Sequence, residues 1–232
     1  MHLQSVHQQS LSAAMPIIVG YFPIGMAFGV YAVTAGLDWY WPVLIGLIQY
    51  SGAAQFFLVA LIAENTAPLV ILGTLLVLNM RHVFYGLPLL DALPAKPVQR
   101  FLAIFWLTDE VYSVLTSRTG DQRPPLHWIG FWAYAAWNTG CLLGGLVGDS
   151  LSIPATSLGF SLTALFVILV IEQWRAHRTM LPIAVSILAW YAVTSFGPNL
   201  SVGMTILSVM SFAMIGFAVI HWWQRSSTRG NR

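Results

Sequence analysis

Eight apolar stretches follow one another along this chain, and no other feature of the sequence constrains its fold as strongly. An α-helix needs about 20 apolar residues to cross the hydrocarbon core of a bilayer. The stretches that approach or reach this length run over Leu11–Ala35, Trp41–Ala63, Pro68–Leu90, Phe101–Ser117, Trp128–Val147, Leu158–Trp174, Met180–Phe196 and Leu200–Trp223. The pattern predicts an all-α fold, that of a polytopic integral membrane protein with seven or eight spans.

The composition supports this class of protein. Hydrophobic residues make up 57% of the 232 residues and charged residues only 8%, whereas a soluble domain carries about 25% charged residues. These values exclude a soluble enzyme, a disordered chain and a nucleic-acid-binding protein. The single cysteine, Cys141, excludes an intramolecular disulfide and a thiolate zinc cluster. We expect one transmembrane domain over residues 1–232, with no metal and no cofactor.

Basic residues indicate the orientation of the spans, because cytoplasmic loops carry an excess of Lys and Arg. Arginines follow the fourth, sixth and eighth stretches, at Arg118, Arg123, Arg175, Arg178, Arg225, Arg229 and Arg232. They predict a cytoplasmic C-terminus. Lys96 and Arg100 precede the fourth stretch and are cytoplasmic only if that stretch does not span. Eight spans misplace these two charges. Seven spans, with the fourth stretch re-entrant or broken, place every loop charge inside.

Glycines and prolines in the two halves of the chain occur at similar spacings. Gly25 and Gly29 resemble Gly140 and Gly144. In the seven-span topology the pattern is an inverted repeat of segments one to three and five to seven, a common plan among secondary transporters. The corresponding half-repeats are 11–117 and 128–223. Chance is the alternative, since both residue types are frequent in membrane helices.

Ionisable residues at membrane depth are candidates for function, because they are costly there unless paired or hydrated. The third stretch ends in the run Asn79-Met-Arg81-His82. The guanidinium of Arg81 can bind a carboxylate through two parallel hydrogen bonds, Asn79 shares a helix face with His82, and His82 can relay protons. The alternatives are an Arg81 that reaches the interface or forms a structural ion pair, and a His82 that only packs.

The fourth stretch contains the adjacent carboxylates Asp109 and Glu110. Neighbouring carboxylates in a low dielectric favour proton binding by at least one of them, which suits coupling to a proton gradient. Asp109 shares a helix face with Tyr112 and Ser113. We expect this face to point inward and Asp109 to have the larger role. In the alternative, Asp109 neutralises Arg81 and Glu110 faces the interface.

Two further motifs are candidates for a binding site. In Gln49-Tyr-Ser51-Gly-Ala-Ala-Gln55-Phe, Ser51 and Gln55 share a face, and the Gln55 amide needs polar partners at mid-span. In Gly20-Tyr-Phe-Pro23-Ile-Gly25, proline between glycines predicts a broken helix with backbone groups free to bind a ligand. The alternatives are close helix packing at the first motif and a simple kink at the second.

Soluble catalytic motifs are missing from the sequence, which has no phosphate-binding loop, HExxH or GxSxG. We therefore expect a protein that is not an enzyme. An α-amino acid with an apolar side chain suits the motifs above. Arg81 or a helix N-terminus would hold its carboxylate, and Asp109 or Glu110 its ammonium group or a proton.

Taken in order, the four motifs resemble those of the AzlC family of branched-chain amino acid exporters. The resemblance implies a multi-pass protein of the inner (plasma) membrane that exports valine, leucine, isoleucine or methionine. It also implies a small AzlD-type membrane subunit as partner. Because the sequence has no ATP-binding motif, we expect an electrochemical gradient as the driving force. The alternatives are a transporter of another small solute and a non-transporting assembly or sensor subunit.

Overall fold

The computed structural model describes residues 2–80, 82–83, 89–90, 93–116, 125–148, 180–197 and 202–229, and single positions at 150, 167, 170, 171, 174, 178 and 200. The regular elements in these ranges are helices and no β-strand occurs among them, which confirms the all-α prediction. The helices are α1 His2–Thr34, α2 Trp41–Ile48, α3 Gly52–Ala63, α4 Pro68–Asn79, α5 Pro97–Phe105, α6 Asp109–Thr116, α7 Leu126–Gly148, α8 Leu181–Phe196 and α9 Val202–Arg229.

One helical segment among these is by itself long and apolar enough to cross a bilayer, Val6–Thr34 within α1. Shorter apolar helical segments cover Gly52–Ala63, Pro68–Asn79, Ile183–Phe196 and Met204–Gly216. The sixth apolar stretch lies almost entirely outside the described residues. The number of spans and the inverted repeat stay predictions.

Two of the apolar stretches are each divided into two helices. The second stretch is interrupted at residues 49–51, between α2 and α3, and the fourth at residues 106–108, between α5 and α6. We call residues 49–51 the first interruption and residues 106–108 the second. The second interruption has a local cause. Thr108 Oγ1 accepts a 3.4 Å hydrogen bond from the Val111 backbone N–H, as an N-cap residue does. Asp109 and Glu110 then fill the first turn of α6, where the helix dipole favours negative charge.

The chain divides into two compact units. Unit 1 comprises Met1–Val59 and Asn79–Ala164, and unit 2 comprises Ala60–Leu78 and Leu165–Arg232. In unit 2, helix α8 packs against α9, where a side chain at Gly216 would contact Val185. In unit 1, helix α1 packs along α7. The two interruptions and the charged motif of the fourth stretch all belong to unit 1.

Glycines bring the backbones of α1 and α7 together. A Cβ atom at Gly25 would overlap the carbonyl oxygen of Trp137, and one at Gly144 would overlap that of Met26. Gly25 and Gly29 on α1 therefore lie against Gly140 and Gly144 on α7, the glycines that they resemble in the predicted repeat. Small residues allow such close approach of membrane helices.

The predicted break at Pro23 is wrong, because α1 is one continuous helix that includes both Pro16 and Pro23. Proline removes one backbone hydrogen bond, and neighbouring helices make this tolerable in a membrane. Here α7 lies against the backbone of α1 at Gly25 and Gly29 and supports it through the kink-prone region.

Candidate functional site

A hydrogen-bonded group joins α1 to the start of α6. The hydroxyl of Tyr21 donates a hydrogen bond to Glu110 Oε2. The same Tyr21 oxygen lies 2.8 Å from Thr108 Oγ1. Thr108 is buried, with 6% of its surface exposed. The Glu110 carboxylate is thus held at the second interruption by a residue from a different helix.

The burial of α6 differs from the prediction. Val111 and Leu115 form its buried face, and Ser113 is exposed. The predicted inward face of Asp109, Tyr112 and Ser113 is therefore wrong at Ser113. The interpretation in which Glu110 turns to the interface is wrong too, because its carboxylate meets Tyr21. Val111 and Leu115 lie four residues apart, so the apolar face of α6 is visible in its sequence. The partner of Glu110 comes from α1, which the sequence of α6 does not reveal.

Gln55 braces the first interruption. Its side chain is fully buried, and its Nε2 donates a hydrogen bond to the Gln49 carbonyl oxygen. Its Oε1 accepts a 2.8 Å hydrogen bond from the indole N–H of Trp137. Gly52 leaves room for the Trp137 ring, which a Cβ would meet at 2.9 Å. The amide partners that the sequence analysis required are thus a loop carbonyl and α7.

Among the residues that the structure describes, two hydroxyl groups at the same interruption have no hydrogen-bond partner: Tyr50 Oη and Ser51 Oγ. Tyr50 is 7% exposed and Ser51 is 5% exposed. Ser51 stands directly before the first residue of α3, and its carbonyl oxygen accepts the 2.9 Å hydrogen bond from the Gln55 N–H that begins the helix. The first N–H groups of any helix have no acceptor within it, so hydrogen-bond donors accumulate at this point.

Aromatic rings connect the two interruptions. The ring centroid of Tyr134 on α7 lies 5.0 Å from that of Tyr50 and 5.7 Å from that of Trp106. The Tyr134 hydroxyl also donates a 3.0 Å hydrogen bond to the Leu47 carbonyl oxygen at the end of α2. The Tyr21 ring lies 6.4 Å from Tyr50 and 5.5 Å from Trp137. Both interruptions therefore border one cluster of aromatic side chains carried by α1 and α7.

The remaining predicted residues lie elsewhere in the chain. Arg81 lies outside the described residues. Asn79 ends α4, and its carbonyl oxygen is 3.1 Å from His82 Nδ1. Pro23 is exposed on α1, and Gly25 is covered by the backbone of α7. Among the residues that the structure describes, no group of three or more His, Cys, Asp or Glu side chains could hold a metal ion.

Three residues of the cluster escaped the sequence analysis as site residues: Tyr21, Tyr134 and Trp137. Tyr21 belongs to the glycine–proline motif, in which the predicted site residues were its neighbours Pro23 and Gly25. The other two belong to a generic apolar stretch. A signal was available at Tyr134 and Trp137, since a buried tyrosine or tryptophan normally finds a partner for its O–H or N–H.

Comparisons with known proteins identify relatives of this chain. Residues 16–151 match the family model described as AzlC protein, a range that contains both interruptions, α1 from Pro16 onward, and α7. The chain is 26% identical over 168 residues to the branched-chain amino acid transport protein AzlC of Bacillus subtilis strain 168, covering 71% of this chain and 66% of that protein.

Other relatives are named as membrane proteins. The chain is 28% identical over 223 residues to the inner membrane protein YgaZ of Escherichia coli K12, covering 91% of this chain and 89% of that protein. It is 29% identical over 179 residues to an uncharacterized membrane protein of Archaeoglobus fulgidus, covering 75% and 78%. No solved structure matches the chain significantly. With its family match spanning more than half of the sequence and its relatives in bacterial and archaeal membranes, the chain belongs to the AzlC family.

Proposed function

We propose that this chain is the large subunit of a secondary transporter that exports branched-chain amino acids, namely valine, leucine and isoleucine, together with methionine. One observation carries the proposal: both interrupted stretches border the Tyr21–Glu110 pair within the region that defines the family. The fourth stretch supplies Glu110 itself, and the second borders the pair through the ring of Tyr50, 6.4 Å from that of Tyr21. Interrupted helices form substrate and ion sites in many secondary transporters. The name of the Bacillus subtilis relative supports the substrate class.

Glu110 is the residue to which we assign coupling. Its carboxylate is held by Tyr21 beside the first turn of α6, and a carboxylate in a membrane interior can take up and release a proton. The same group can face the ammonium of a substrate. Asp109 and Tyr112 on the same helix, and His82, assist the transfer of protons. Arg81 and Asn79 act at the gate or in substrate binding.

The aromatic cluster suits the apolar side chain of such a substrate. The rings of Tyr50 and Tyr134 lie 5.0 Å apart, and that of Trp137 lies 5.5 Å from Tyr21. Aromatic rings bury apolar groups favourably. Ligand sites in proteins are lined mostly by apolar and aromatic side chains, with a few polar groups that fix orientation. A branched aliphatic side chain among these rings, with its charged end at the interruptions, satisfies both requirements.

The assembly follows from the family resemblance and the charge distribution. We assign the chain to the inner (plasma) membrane as a multi-pass protein with a cytoplasmic C-terminus and a small AzlD-type subunit. The basic residues Lys96 and Arg100 favour seven spans, because both are cytoplasmic only if the interrupted fourth stretch does not cross the membrane. Reporter fusions at Pro97 and Arg232 test this assignment. A periplasmic signal at Pro97 contradicts the seven-span topology and the inverted repeat with it.

Efflux of labelled valine tests the proposed function. Cells that lack the endogenous exporters are preloaded with valine, and efflux is compared between this chain alone, this chain with the small subunit, and the empty vector. We expect faster efflux only when both chains are present. The Glu110→Gln variant, expressed together with the small subunit, is the negative control.

The purified complex in liposomes separates the alternatives. Flux of another solute but not of valine identifies a different substrate. A complex that forms and moves neither valine, leucine, isoleucine nor methionine contradicts the transport proposal and favours an assembly or sensor subunit.

A further inference from the structure

The backbone between α2 and α3 is held by hydrogen bonds in which two nearby hydroxyl groups, those of Tyr50 and Ser51, take no part. The Gln49 carbonyl oxygen accepts hydrogen bonds from Gln55 Nε2 and, at 3.1 Å, from the Ser51 N–H. Tyr134 donates to the Leu47 carbonyl oxygen. The hydroxyls of Tyr50 and Ser51 take no part in this network.

Unpartnered hydroxyls at this burial reduce the stability of the fold. Only 7% of the surface of Tyr50 and 5% of that of Ser51 is exposed to solvent. A buried polar group without a partner loses its hydrogen bonds to water and gains none in return. Two such groups on consecutive residues indicate a place where another molecule supplies the missing partner.

The chemistry of that molecule follows from the position of the hydroxyls. Ser51 precedes Gly52, the first residue of α3, and a helix N-terminus attracts negative charge through its N–H groups and its dipole. The Ser51 hydroxyl would ordinarily cap these N–H groups, but it forms no such bond here. Hydroxyl and N–H donors together suit a carboxylate.

A negative group lies close to these donors. Glu110 accepts a hydrogen bond from Tyr21, whose ring centroid lies 6.4 Å from that of Tyr50. A simple anion at the N-terminus of α3 would be repelled by that carboxylate. A zwitterion would not, because its ammonium group can face Glu110 while its carboxylate faces the donors.

We propose that Tyr50, Ser51 and the N-terminus of α3 bind the α-carboxylate of the transported amino acid, with its ammonium group toward Glu110. The inference rests on the proposed function and assigns its substrate site. It places the carboxylate at the first interruption rather than at Arg81. It also explains why Gln55 and Trp137, rather than the two hydroxyls, secure the backbone there.

Binding of L-valine and L-valinol by the full chain, purified with its co-purifying subunit, tests the assignment. Valinol keeps the ammonium group and the branched side chain but has no carboxylate. We expect Ser51→Ala and Tyr50→Phe each to weaken valine binding about 10-fold or more, since each removes a hydrogen bond to a charged group. Neither substitution should change the dissociation constant for valinol by more than about 2-fold.

Matched controls exclude a general disturbance of the fold. Ser10 is a fully buried serine whose hydroxyl bonds to Val6 in its own helix, and Ser10→Ala should leave valine binding unchanged. Tyr31 is a partly buried tyrosine of α1 whose ring lies 5.5 Å from that of Phe56. Tyr31→Phe is the control for Tyr50→Phe and should also leave valine binding unchanged. Because the substituted hydroxyls have no partner in the described part of the chain, we expect the Ser51→Ala and Tyr50→Phe variants to melt at or above the temperature of the unsubstituted protein.

The outcomes separate the site from the function. If the unsubstituted complex binds and transports valine while both variants bind it normally, the site assignment fails and the proposed function stands. Equal weakening of valine and valinol binding also overturns the carboxylate assignment. If the unsubstituted complex binds no branched-chain amino acid or methionine, both fail. Selective weakening of valine binding in stable variants supports both.

Discussion

The hydroxyl of Tyr21 on α1 donates a hydrogen bond to the carboxylate of Glu110 at the start of α6, across 89 positions of the chain. Thr108, which caps α6, lies 2.8 Å from the same hydroxyl. A change in the charge of Glu110 therefore acts directly on α1 and on the N-terminus of α6. This linkage is the physical basis on which a proton or an ammonium group at Glu110 can alter the packing of unit 1.

The Tyr21–Glu110 contact should appear as non-additive stability. Tyr21→Phe removes the donor, and Glu110→Gln replaces the charged acceptor with a neutral one. A hydrogen bond to a charged group contributes about 1.5–3 kcal/mol, so each substitution should lower the melting temperature by a few degrees. The double variant should lose less than the sum of the two. Tyr31→Phe combined with Glu110→Gln is the additive control, and additive losses for both pairs would contradict the contact.

The two carboxylates of α6 should differ in function. Glu110→Gln keeps the shape of the side chain and an acceptor for Tyr21 but cannot carry a proton. We expect it to abolish gradient-driven efflux of valine, because Gln cannot exchange a proton. Exchange of internal for external valine should be slowed less, because exchange needs no net proton movement and Gln keeps a carbonyl oxygen that can accept from the ammonium group. Asp109→Asn should reduce efflux less. Efflux and counterflow in liposomes measure both, and a larger defect in Asp109→Asn would restore the order expected from the sequence.

The sequence located the polar motifs of the site and offered a broken fourth stretch as one of two topologies, but it did not indicate the interruption of the second stretch. The interruption at 106–108 had a local signal, since Thr108 followed by two acidic residues is typical of a helix N-terminus. The interruption at 49–51 depends on Tyr134 and Trp137, more than 80 residues away in the chain. A pattern read along the chain does not contain such partners. Proline at Pro23 was the stronger local signal, and packing against α7 overrides it.

The orientation of the carboxylates shows the same limit. Adjacent residues on a helix point about 100° apart, so the sequence correctly implies that Asp109 and Glu110 are not equivalent. Which of them meets the core is decided by Tyr21. The position of α1 against α7 that brings Tyr21 there is set by glycines whose role is visible only in the packed pair.

The brace at the first interruption should be costly to remove. Gln55→Leu keeps the approximate volume of the side chain but leaves the Gln49 carbonyl and the Trp137 indole N–H without their partners. A buried group that loses its partner costs about 1–3 kcal/mol. We expect a lower melting temperature and a lower yield of folded protein. Gln9→Leu, at an exposed position on α1, should change neither, and a Gln55→Leu variant as stable as this control would show that the brace contributes nothing.

Glycine substitutions along α1 and α7 should have opposite effects on stability at different positions. A Cβ atom at Gly144 would overlap the backbone carbonyl of Met26, which cannot move without shifting α1, whereas nothing lies within 4 Å of a Cβ atom at Gly20. Overpacking of this kind costs about 1–3 kcal/mol, and alanine is favoured over glycine inside a helix by about 1 kcal/mol. Gly144→Ala should therefore lower the melting temperature and Gly20→Ala should keep or raise it.

Because Tyr21 reaches Glu110 only while α1 lies close to α7, Gly144→Ala should also reduce valine efflux per folded molecule. A destabilised Gly144→Ala variant with normal efflux would separate helix packing from the geometry of the site.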